Sequence, residues 1–201
     1  MVRRCPKILI IDNYDSFTYN LVQLLKKHGS CFHSVSRNNE TDVFLAGSYN
    51  AFLFSPGPGV PSEVPVMKEI IRMYGSRKSI LGVCLGHQAI AEFFGARLEN
   101  LSTVNHGMRA RVRVTCPDDY LFSGIGCEFD AGLYHSWAVT GNPEELLSAN
   151  HLRVTATDSD GTIMAIAHET FDIRGVQFHP ESFITECGYK IINNWIDHIK
   201  V

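Results

Sequence analysis

The sequence predicts an α/β protein with a mostly parallel central sheet, flanked by helices and extended by a region of antiparallel or mixed strands. Three short apolar runs, at 8–11, 51–54 and 79–83, carry no charged residue, which is typical of strands buried on both faces. A helical pattern follows each run, and this alternation of strand and helix favours a parallel sheet. The stretch from about 96 to 178 lacks that alternation, so we assign the additional strands to it.

Start and stop signals place the helices of the first half. After the first strand, Asp15 or Ser16 is expected to cap a helix that Gly29 ends, because short polar side chains favour the N-cap and glycine the C-cap. The apolar spacing over 66–73 predicts a second helix. A third is expected over about 85–94, directly after the third strand.

The second half contains shorter strands and a final helix. Residues 109–114 alternate between charged and apolar, which predicts a strand with one exposed face. Further short strands are expected at 152–157, 163–167 and 173–178. The last helix is indicated by apolar residues at i, i+3, i+4 and i+7, namely Ile192, Trp195, Ile196 and Ile199.

Composition indicates a globular chain. Of its 201 residues, 45% are hydrophobic and 19% are charged, and the net charge is −3. These values exclude a disordered chain and give no sign of a nucleic-acid-binding surface. The length suits one domain, which we expect to span residues 1–201.

The expected cellular compartment is inferred from the absence of membrane-spanning and secretion signals in the sequence. No apolar run approaches the roughly 20 residues that span a bilayer, and no block of basic residues exceeds two. The basic start leads into the first strand and is not followed by a small-residue cleavage site. Six cysteines form no C-x-x-C pair. We therefore expect a cytoplasmic protein with reduced thiols and no membrane partner.

The motif Gly82-Val83-Cys84-Leu85-Gly86 lies between a predicted strand and a predicted helix. The form G-x-C-x-G is a nucleophile elbow with cysteine in place of serine. Its glycines permit a tight turn, the helix N-terminus favours the thiolate, and the Leu85 N–H can bind an oxyanion. A buried structural cysteine is the alternative. The flanking glycines and the strand–turn–helix setting favour a nucleophile.

A candidate base lies at the end of another apolar stretch. Among nine histidines, His179 precedes Pro180, which holds it in an extended conformation. Residues two apart face the same side of an extended chain, so Glu181 can orient the imidazole. Alone, the H-P-E motif is more typical of a solvated loop. Its weight comes from pairing with Cys84, because a cysteine nucleophile needs a histidine base.

Two further features are candidates for substrate binding. Gln88 lies one helical turn after Cys84 and shares its face, although a lone glutamine is more often an exposed helix residue. The glycine-rich loop after the second apolar run can bring backbone N–H groups close to a ligand, or can be only a rigid turn. Its central residues are Gly57, Pro58 and Gly59.

Metal and phosphate sites find no support. Cys84 and His87 form a C-x-x-H pair, but no second ligand pair is visible, so we predict no metal site. The sequence also contains no G-x-x-x-x-G-K-[ST] loop.

Four stretches together resemble the class I, triad-type glutamine amidotransferases. They cover residues 11–20 (IDNYDSFTYN), 55–63 (SPGPGVPSE), 82–89 (GVCLGHQA) and 175–186 (GVQFHPESFITE). The last two mark the superfamily. The first two are more typical of the glutaminase components of anthranilate and aminodeoxychorismate synthases. The resemblance runs over nearly the whole chain and implies the flavodoxin-like fold of the family.

The resemblance implies a mechanism. Cys84 would attack the side-chain amide of L-glutamine, and His179 would accept a proton from the thiol and give one to the departing ammonia. Glu181 would orient His179. Water would then hydrolyse the glutamyl thioester to glutamate.

The resemblance also implies the binding residues. The N–H groups of Leu85 and of the Gly57–Gly59 loop would stabilise the oxyanion. Gln88 and the backbone of Ser136 and Trp137 would bind glutamine. Trp137 stands where leucine is more usual in the family, and a tryptophan can present the same backbone.

The resemblance further implies a partner. The amidotransferase unit fills the chain, so we expect the ammonia to be used by a second chain, a chorismate-binding synthase component I in a hetero-oligomer. Magnesium is expected in that component, and no cofactor in this chain. Met108 stands where lysine is common, which bears on the partner's identity.

The leading expectation is anthranilate synthesis for tryptophan. The alternative is the same glutaminase serving 4-amino-4-deoxychorismate synthase for folate, or both. A non-catalytic regulatory module and a hydrolase of γ-glutamyl peptides are the remaining alternatives. The intact triad argues against the module, and the opening stretch at 11–20 argues against the hydrolase.

Overall fold

The computed structural model describes residues 5–102 and 106–201. Its first half alternates strands and helices: β1 (Lys7–Asp12), α1 (Thr18–His28), β2 (Phe32–Arg37), β3 (Ala51–Phe54), α2 (Pro65–Tyr74), β4 (Ser79–Val83) and α3 (Leu85–Phe93). Its second half is richer in strands: β5 (Arg97–Asn100), β6 (Met108–Val114), β7 (Glu128–Leu133), β8 (Trp137–Thr140), α4 (Pro143–Asn150), β9 (Leu152–Asp158), β10 (Ile163–His168), β11 (Ile173–Val176) and α5 (Gly188–His198).

One large mixed sheet organises the described residues. Its strand order is β2-β1-β3-β4-β11-β10-β9-β6-β7. The five strands from β2 to β11 are parallel, and β10, β9, β6 and β7 continue the sheet antiparallel. Strands β5 and β8 form a separate antiparallel pair. The predicted α/β class with a mostly parallel sheet and an antiparallel extension is confirmed.

The charge-free strands are explained by two cores, one on each face of the sheet. In β1, Ile8 and Ile10 pack into the cluster that contains the apolar faces of α1 and α5. Leu9 and Ile11 point the other way, into the cluster formed with α2 and α3. Because successive side chains alternate across a strand, a strand covered on both faces must be apolar throughout.

The predicted start of α1 is wrong, and its predicted end is correct. Neither Asp15 nor Ser16 caps the helix, whose N-cap is Phe17 with no side-chain cap. Instead, Asp15 Oδ1 accepts a hydrogen bond from the Phe17 N–H at 2.7 Å and closes the turn before the helix. Gly29 ends the helix with φ of 77°, a left-handed conformation that glycine adopts without a Cβ penalty.

Some elements escape the sequence patterns. Strand β2 is the sheet edge and is nowhere buried, so it shows neither a continuous apolar run nor a strong alternation. The short elements β5, β7, β8 and α4 were likewise not predicted. Strand β11 ends at Val176, two residues before the predicted end. The remaining predicted strands and the last helix are present at their predicted places.

The topology brings three chain segments together at the carboxyl ends of three central strands. Strands β3, β4 and β11 are parallel neighbours, so their carboxyl ends lie side by side. Active sites in open α/β sheets form at such an edge. Within the described ranges, no helix is long and apolar enough to cross a bilayer.

Candidate active site

Cys84 occupies a strained turn between β4 and α3. Its backbone has φ of 52° and ψ of −102°, and a positive φ is uncommon for a side chain other than glycine. The Cys84 N–H donates to the Val176 carbonyl at 2.9 Å, so the neighbouring strand β11 holds the turn. Strain of this kind persists only where the surroundings determine the conformation, and it is concentrated at functional sites.

The flanking glycines are required by close backbone contacts. A Cβ atom on Gly82 would lie 2.4 Å from the carbonyl carbon of Gly86, and one on Gly86 would lie 2.6 Å from the Phe54 Cβ. Helix α3 therefore begins directly against β3 and β4. The G-x-C-x-G spacing reflects this packing as well as the tight turn.

His179 and Glu181 form a buried pair. Their Nδ1 and Oε1 atoms are 2.7 Å apart, and both side chains are almost completely buried. The surrounding backbone is held in place because the His179 N–H donates to the Gly132 carbonyl and the Thr185 hydroxyl donates to the His179 carbonyl. The predicted i, i+2 arrangement of the two side chains is therefore present.

The pair has a strong effect on protonation. Burial lowers the pKa of His179, but its interactions with Cys84 and with the Glu181 carboxylate outweigh burial and raise the pKa to about 10. The arrangement holds a protonated His179 beside Cys84, with the Glu181 carboxylate behind it.

Aromatic rings enclose the imidazole of His179. The ring of Tyr134 lies 4.8 Å from it and that of Phe17 lies 5.7 Å from it, both in T-shaped contacts. The Tyr134 hydroxyl hydrogen-bonds Ser182 Oγ at 3.1 Å. Sequence reasoning missed both rings, because their contacts with His179 join distant parts of the chain.

A pocket of about 140 Å³ opens beside Cys84. Its lining includes six of the seven residues predicted to bind glutamine or the oxyanion. The lining residues are Gly57, Pro58, Gly59, Cys84, Gln88, Tyr134, His135, Ser136 and Trp137. Leu85, the seventh predicted residue, is buried at the start of α3 directly after Cys84. Tyr134 and His135 were not predicted.

The Gly57–Gly59 loop rests on the segment that follows β1. A Cβ atom on Gly57 would lie 2.6 Å from the Asn13 Cβ, so the loop packs directly on Asn13. The Asn13 side chain donates to the Ser55 carbonyl at 2.8 Å, and its N–H donates to Ser55 Oγ at 2.9 Å. The two stretches at 11–20 and 55–63 thus form one supporting unit.

Gln88 is buried beside Cys84 and is not an exposed helix residue. Its Nε2 donates to the Trp137 carbonyl at 2.8 Å and to Gln177 Oε1 at 3.2 Å. Sequence reasoning missed Gln177, although the signal was present. The alternation that pairs His179 with Glu181 places Gln177, two residues earlier, on the same side of the chain.

His87 is a second buried histidine near the elbow, and it is uncharged. Burial lowers its pKa to about 3, despite an opposing interaction with the Gly175 backbone. A Cβ atom on Gly175 would lie 2.8 Å from His87 Nδ1, so the ring packs directly against β11. Across residues 5–102 and 106–201, no group of three or more His, Cys, Asp and Glu side chains could hold a metal ion.

Of the two departures from the family pattern, Trp137 lines the pocket and Met108 does not. Trp137 begins β8, and its carbonyl is oriented toward Gln88. Met108 begins β6 and is exposed. In the sequence, Met108 ends the stretch Asn105-His106-Gly107-Met108, of which Asn105 lies outside the described residues.

Comparison with known proteins defines the class. Residues 9–199 match the family model "Glutamine amidotransferase class-I", and the chain belongs to this family. The solved structure of a putative GMP synthase component from Thermoplasma acidophilum has the same fold, with a TM-score of 0.84 over 96% of this chain and 93% of that one. Its sequence identity of 23% supports the fold alone.

Curated relatives narrow the class. A putative anthranilate synthase component II of Haemophilus influenzae is 41% identical over 190 residues, covering 94% of this chain and 95% of the relative. The aminodeoxychorismate synthase component 2 of Klebsiella aerogenes is 38% identical over 192 residues, covering 94% and 99% respectively. The chain is thus similar to the second components of both synthases.

The buried, neutral His87 predicts a loss of stability in acid. Its folded-state pKa lies below the unfolded value of about 6.5, so its contribution is complete above that pH and is lost as the pH falls. Between pH 7 and pH 5, wild type should lose about 2 kcal/mol more of its free energy of unfolding than His87→Leu. Urea titrations at both pH values measure this, with His33→Gln as control. Equal losses in wild type and His87→Leu would contradict it.

Proposed function

We propose that this chain hydrolyses L-glutamine through Cys84, His179 and Glu181 and delivers the ammonia to a synthase partner. The observation that carries the proposal is the buried 2.7 Å contact between His179 and Glu181 beside the strained Cys84 elbow. Membership of the class-I family supports the same chemistry. A buried structural cysteine would not require a positive φ or a charged partner.

The first half-reaction forms a thioester. The Cys84 thiolate attacks the side-chain carbonyl carbon of glutamine, and the resulting oxyanion accepts hydrogen bonds from Leu85 N–H and the Gly57–Gly59 loop. The His179 imidazolium gives its proton to the amide nitrogen, and the carbon–nitrogen bond breaks to release ammonia. Glu181 keeps the imidazole oriented and favours its charged form.

The second half-reaction restores the enzyme. His179, now neutral, removes a proton from a water molecule that attacks the thioester carbonyl. The carbon–sulfur bond breaks, glutamate leaves, and Cys84 departs as a thiolate beside the imidazolium. All proton transfers are thus made by groups of this chain, and we propose no metal or other cofactor within it.

Glutamine recognition is assigned to the pocket walls. Both hydrogen bonds of the Gln88 side chain to other described residues are donated by Nε2, which leaves Oε1 able to accept one from a ligand. We assign this oxygen, together with the backbone of Ser136 and Trp137, to the polar groups of bound glutamine. A polar pocket of this size favours a small amino-acid substrate.

The partner proposed is a chorismate-binding synthase component I in a hetero-oligomer, with magnesium in that component. Relatives named as component II or component 2 of such synthases support this choice. Ammonia protonates readily near pH 7, so docking and a protected passage preserve the reactive form. We propose a cytoplasmic complex, with one amidotransferase domain in this chain and no nucleic-acid or membrane partner.

We propose anthranilate as the product, for tryptophan synthesis. Curated relatives from Haemophilus influenzae and Cyanidium caldarium, both named for anthranilate synthase, reach 41% and 40% identity. The alternative, supported by the Klebsiella aerogenes relative, is delivery to aminodeoxychorismate synthase for folate, or to both.

Replacement of the nucleophile separates the two halves of the complex. With component I, chorismate and magnesium, Cys84→Ser should abolish anthranilate formation from glutamine and preserve it from ammonium salts. Anthranilate fluorescence measures both. Cys127→Ser, at an exposed cysteine, is the control and should retain both activities. Glutamine-dependent product from Cys84→Ser would contradict the proposed nucleophile. Ammonia use without any glutamine use by wild type would favour the folate branch or a regulatory module.

The charge of His179 predicts the alkaline limit of activity. As the pH rises through about 10, His179 loses the proton that it gives to ammonia, so kcat for glutamine should fall there. Glu181→Gln removes the carboxylate that raises this pKa and should move the fall to lower pH by at least about one unit. Measurements of kcat from pH 6 to 10.5 test this, with the exposed Glu186→Gln as control. Coincident alkaline midpoints in wild type and Glu181→Gln would refute the role of Glu181.

Exposed apolar side chains around the pocket support docking at this edge. Phe183 follows Ser182, which contacts the pocket residue Tyr134, and it is 94% exposed. Tyr14, which follows Asn13 beneath the Gly57–Gly59 loop, and Met108, which pairs with Leu133 next to Tyr134, are also exposed. Large apolar groups that cluster at a surface are typical of interaction sites. We therefore place the partner surface around Phe183.

A charge at this surface should weaken the complex. Phe183→Asp is expected to reduce glutamine-dependent synthesis at least tenfold at limiting partner, because central aromatic residues carry much of the binding free energy. Ammonia-dependent synthesis should not change. Phe44→Asp is the matched control, since Phe44 is also exposed but lies near the end of α2, at the opposite edge of the sheet. Equal partner affinity for the two variants in a titration would exclude Phe183 from the interface.

A further inference from the structure

We propose that Gln177 is a further catalytic residue, whose side-chain amide donates a hydrogen bond to the Cys84 thiolate. Its Nε2 lies 3.6 Å from Cys84 Sγ, and the whole residue is buried. The inference rests on the proposed role of Cys84 as nucleophile. In the triad, the Cys84 sulfur has one charged neighbour, the His179 imidazolium, and Gln177 adds a hydrogen-bond donor to the same sulfur.

Strand register places the amide beside the thiol. Val83 of β4 pairs with Val176 of β11 in parallel register, so the next residues, Cys84 and Gln177, leave the sheet side by side. The Cys84 N–H still bonds the Val176 carbonyl. The contact between the two side chains is thus a direct consequence of the central strand pairing.

A chain of hydrogen bonds determines which end of the amide faces sulfur. The Trp137 carbonyl can only accept, so the neighbouring atom of Gln88 must be its Nε2. The same Nε2 has a second proton, which it donates to an oxygen, Gln177 Oε1. Gln177 Nε2 is then the atom left to face Cys84 Sγ. The orientation that donates to sulfur follows from the unambiguous acceptor at the start of this chain.

The donor acts on the charged form of the nucleophile. A hydrogen bond to an ionised acceptor is stronger than one to a neutral acceptor, so the amide favours thiolate over thiol. It assists twice in the reaction: it raises the fraction of Cys84 that can attack, and it stabilises the thiolate that leaves when the thioester is hydrolysed. Gln88 therefore has a positioning role in addition to its place in the pocket.

Alkylation of Cys84 by iodoacetamide tests this without glutamine or partner. The thiolate displaces iodide to form a carbon–sulfur bond, so the rate follows the thiolate fraction. We compare wild type with Gln177→Met, which has similar volume and no donor. The midpoint of the pH–rate profile should rise by about one unit, so that the reaction is roughly tenfold slower at pH values well below the wild-type midpoint and unchanged at high pH. Mass spectrometry of the Cys84 peptide gives the rate, and the exposed Cys127 is the internal reference.

A second variant keeps the test decisive if Gln177→Met does not fold. Gln177→Glu is isosteric and removes the amide donor, so its midpoint should also rise. With the partner, both variants should lower kcat for glutamine and leave KM within about twofold. A midpoint equal to wild type in a folded variant overturns the inference, even if glutamine turnover falls, because the residue would then be only structural. The proposed function fails separately, through glutamine use by Cys84→Ser, which would leave the alkylation result intact.

Discussion

The parallel pairing of β4 with β11 at the centre of the sheet is the constraint on which the site depends. In this register, Val83 lies opposite Val176, and both chains leave the sheet at the same edge. Cys84 follows one strand, and Gln177 and His179 follow the other. The hydrogen bonds between β4 and β11 set the distance between the two segments that follow these strands. The position of Cys84 relative to Gln177 and His179 therefore depends on the sheet and not on a loop conformation. The third strand, β3, adds the Gly57–Gly59 loop by the same rule.

The strained turn is maintained by packing on every side. The positive φ of Cys84 costs about 1–3 kcal/mol of backbone strain. The packing around the turn leaves few other conformations for its backbone. Gly82 lies against Gly86, and Gly86 lies against Phe54, at distances that exclude a Cβ atom. The buried charge of His179 is likewise offset by Glu181, since an isolated buried charge would be costly. Strain and buried charge are therefore concentrated where the chemistry needs them, on a scaffold of apolar strands.

The features that the sequence predicts correctly are those formed by residues close together in the chain. The G-x-C-x-G turn and the alternation of His179 with Glu181 each lie within a few residues, so both are visible in the sequence and both are present in the structure. Phe17, Tyr134 and Asn13 could not be found this way, because their contacts with the site are made between distant segments. The edge strand β2 was missed for a related reason: no core covers it, so it has no apolar pattern. Gln177 is the exception, a residue whose alternation with His179 was visible and was not used.

The two ends of β11 show how one strand separates stability from chemistry. Near its start, Arg174 donates to the buried Asp119 at 2.9 Å, and Tyr120 donates to Asp172 at 2.7 Å. Burial is the main cause that raises the pKa of Tyr120 well above its usual value, which keeps the phenol protonated as a donor. This polar cluster is remote from the pocket and satisfies its own hydrogen bonds. Past the other end of the strand, Gln177 contacts the Cys84 thiol and His179 pairs with Glu181. Active sites form at the carboxyl ends of parallel strands. Residues beyond the carboxyl end of β11 therefore serve the chemistry, while the polar contacts at its amino end hold the strand in place.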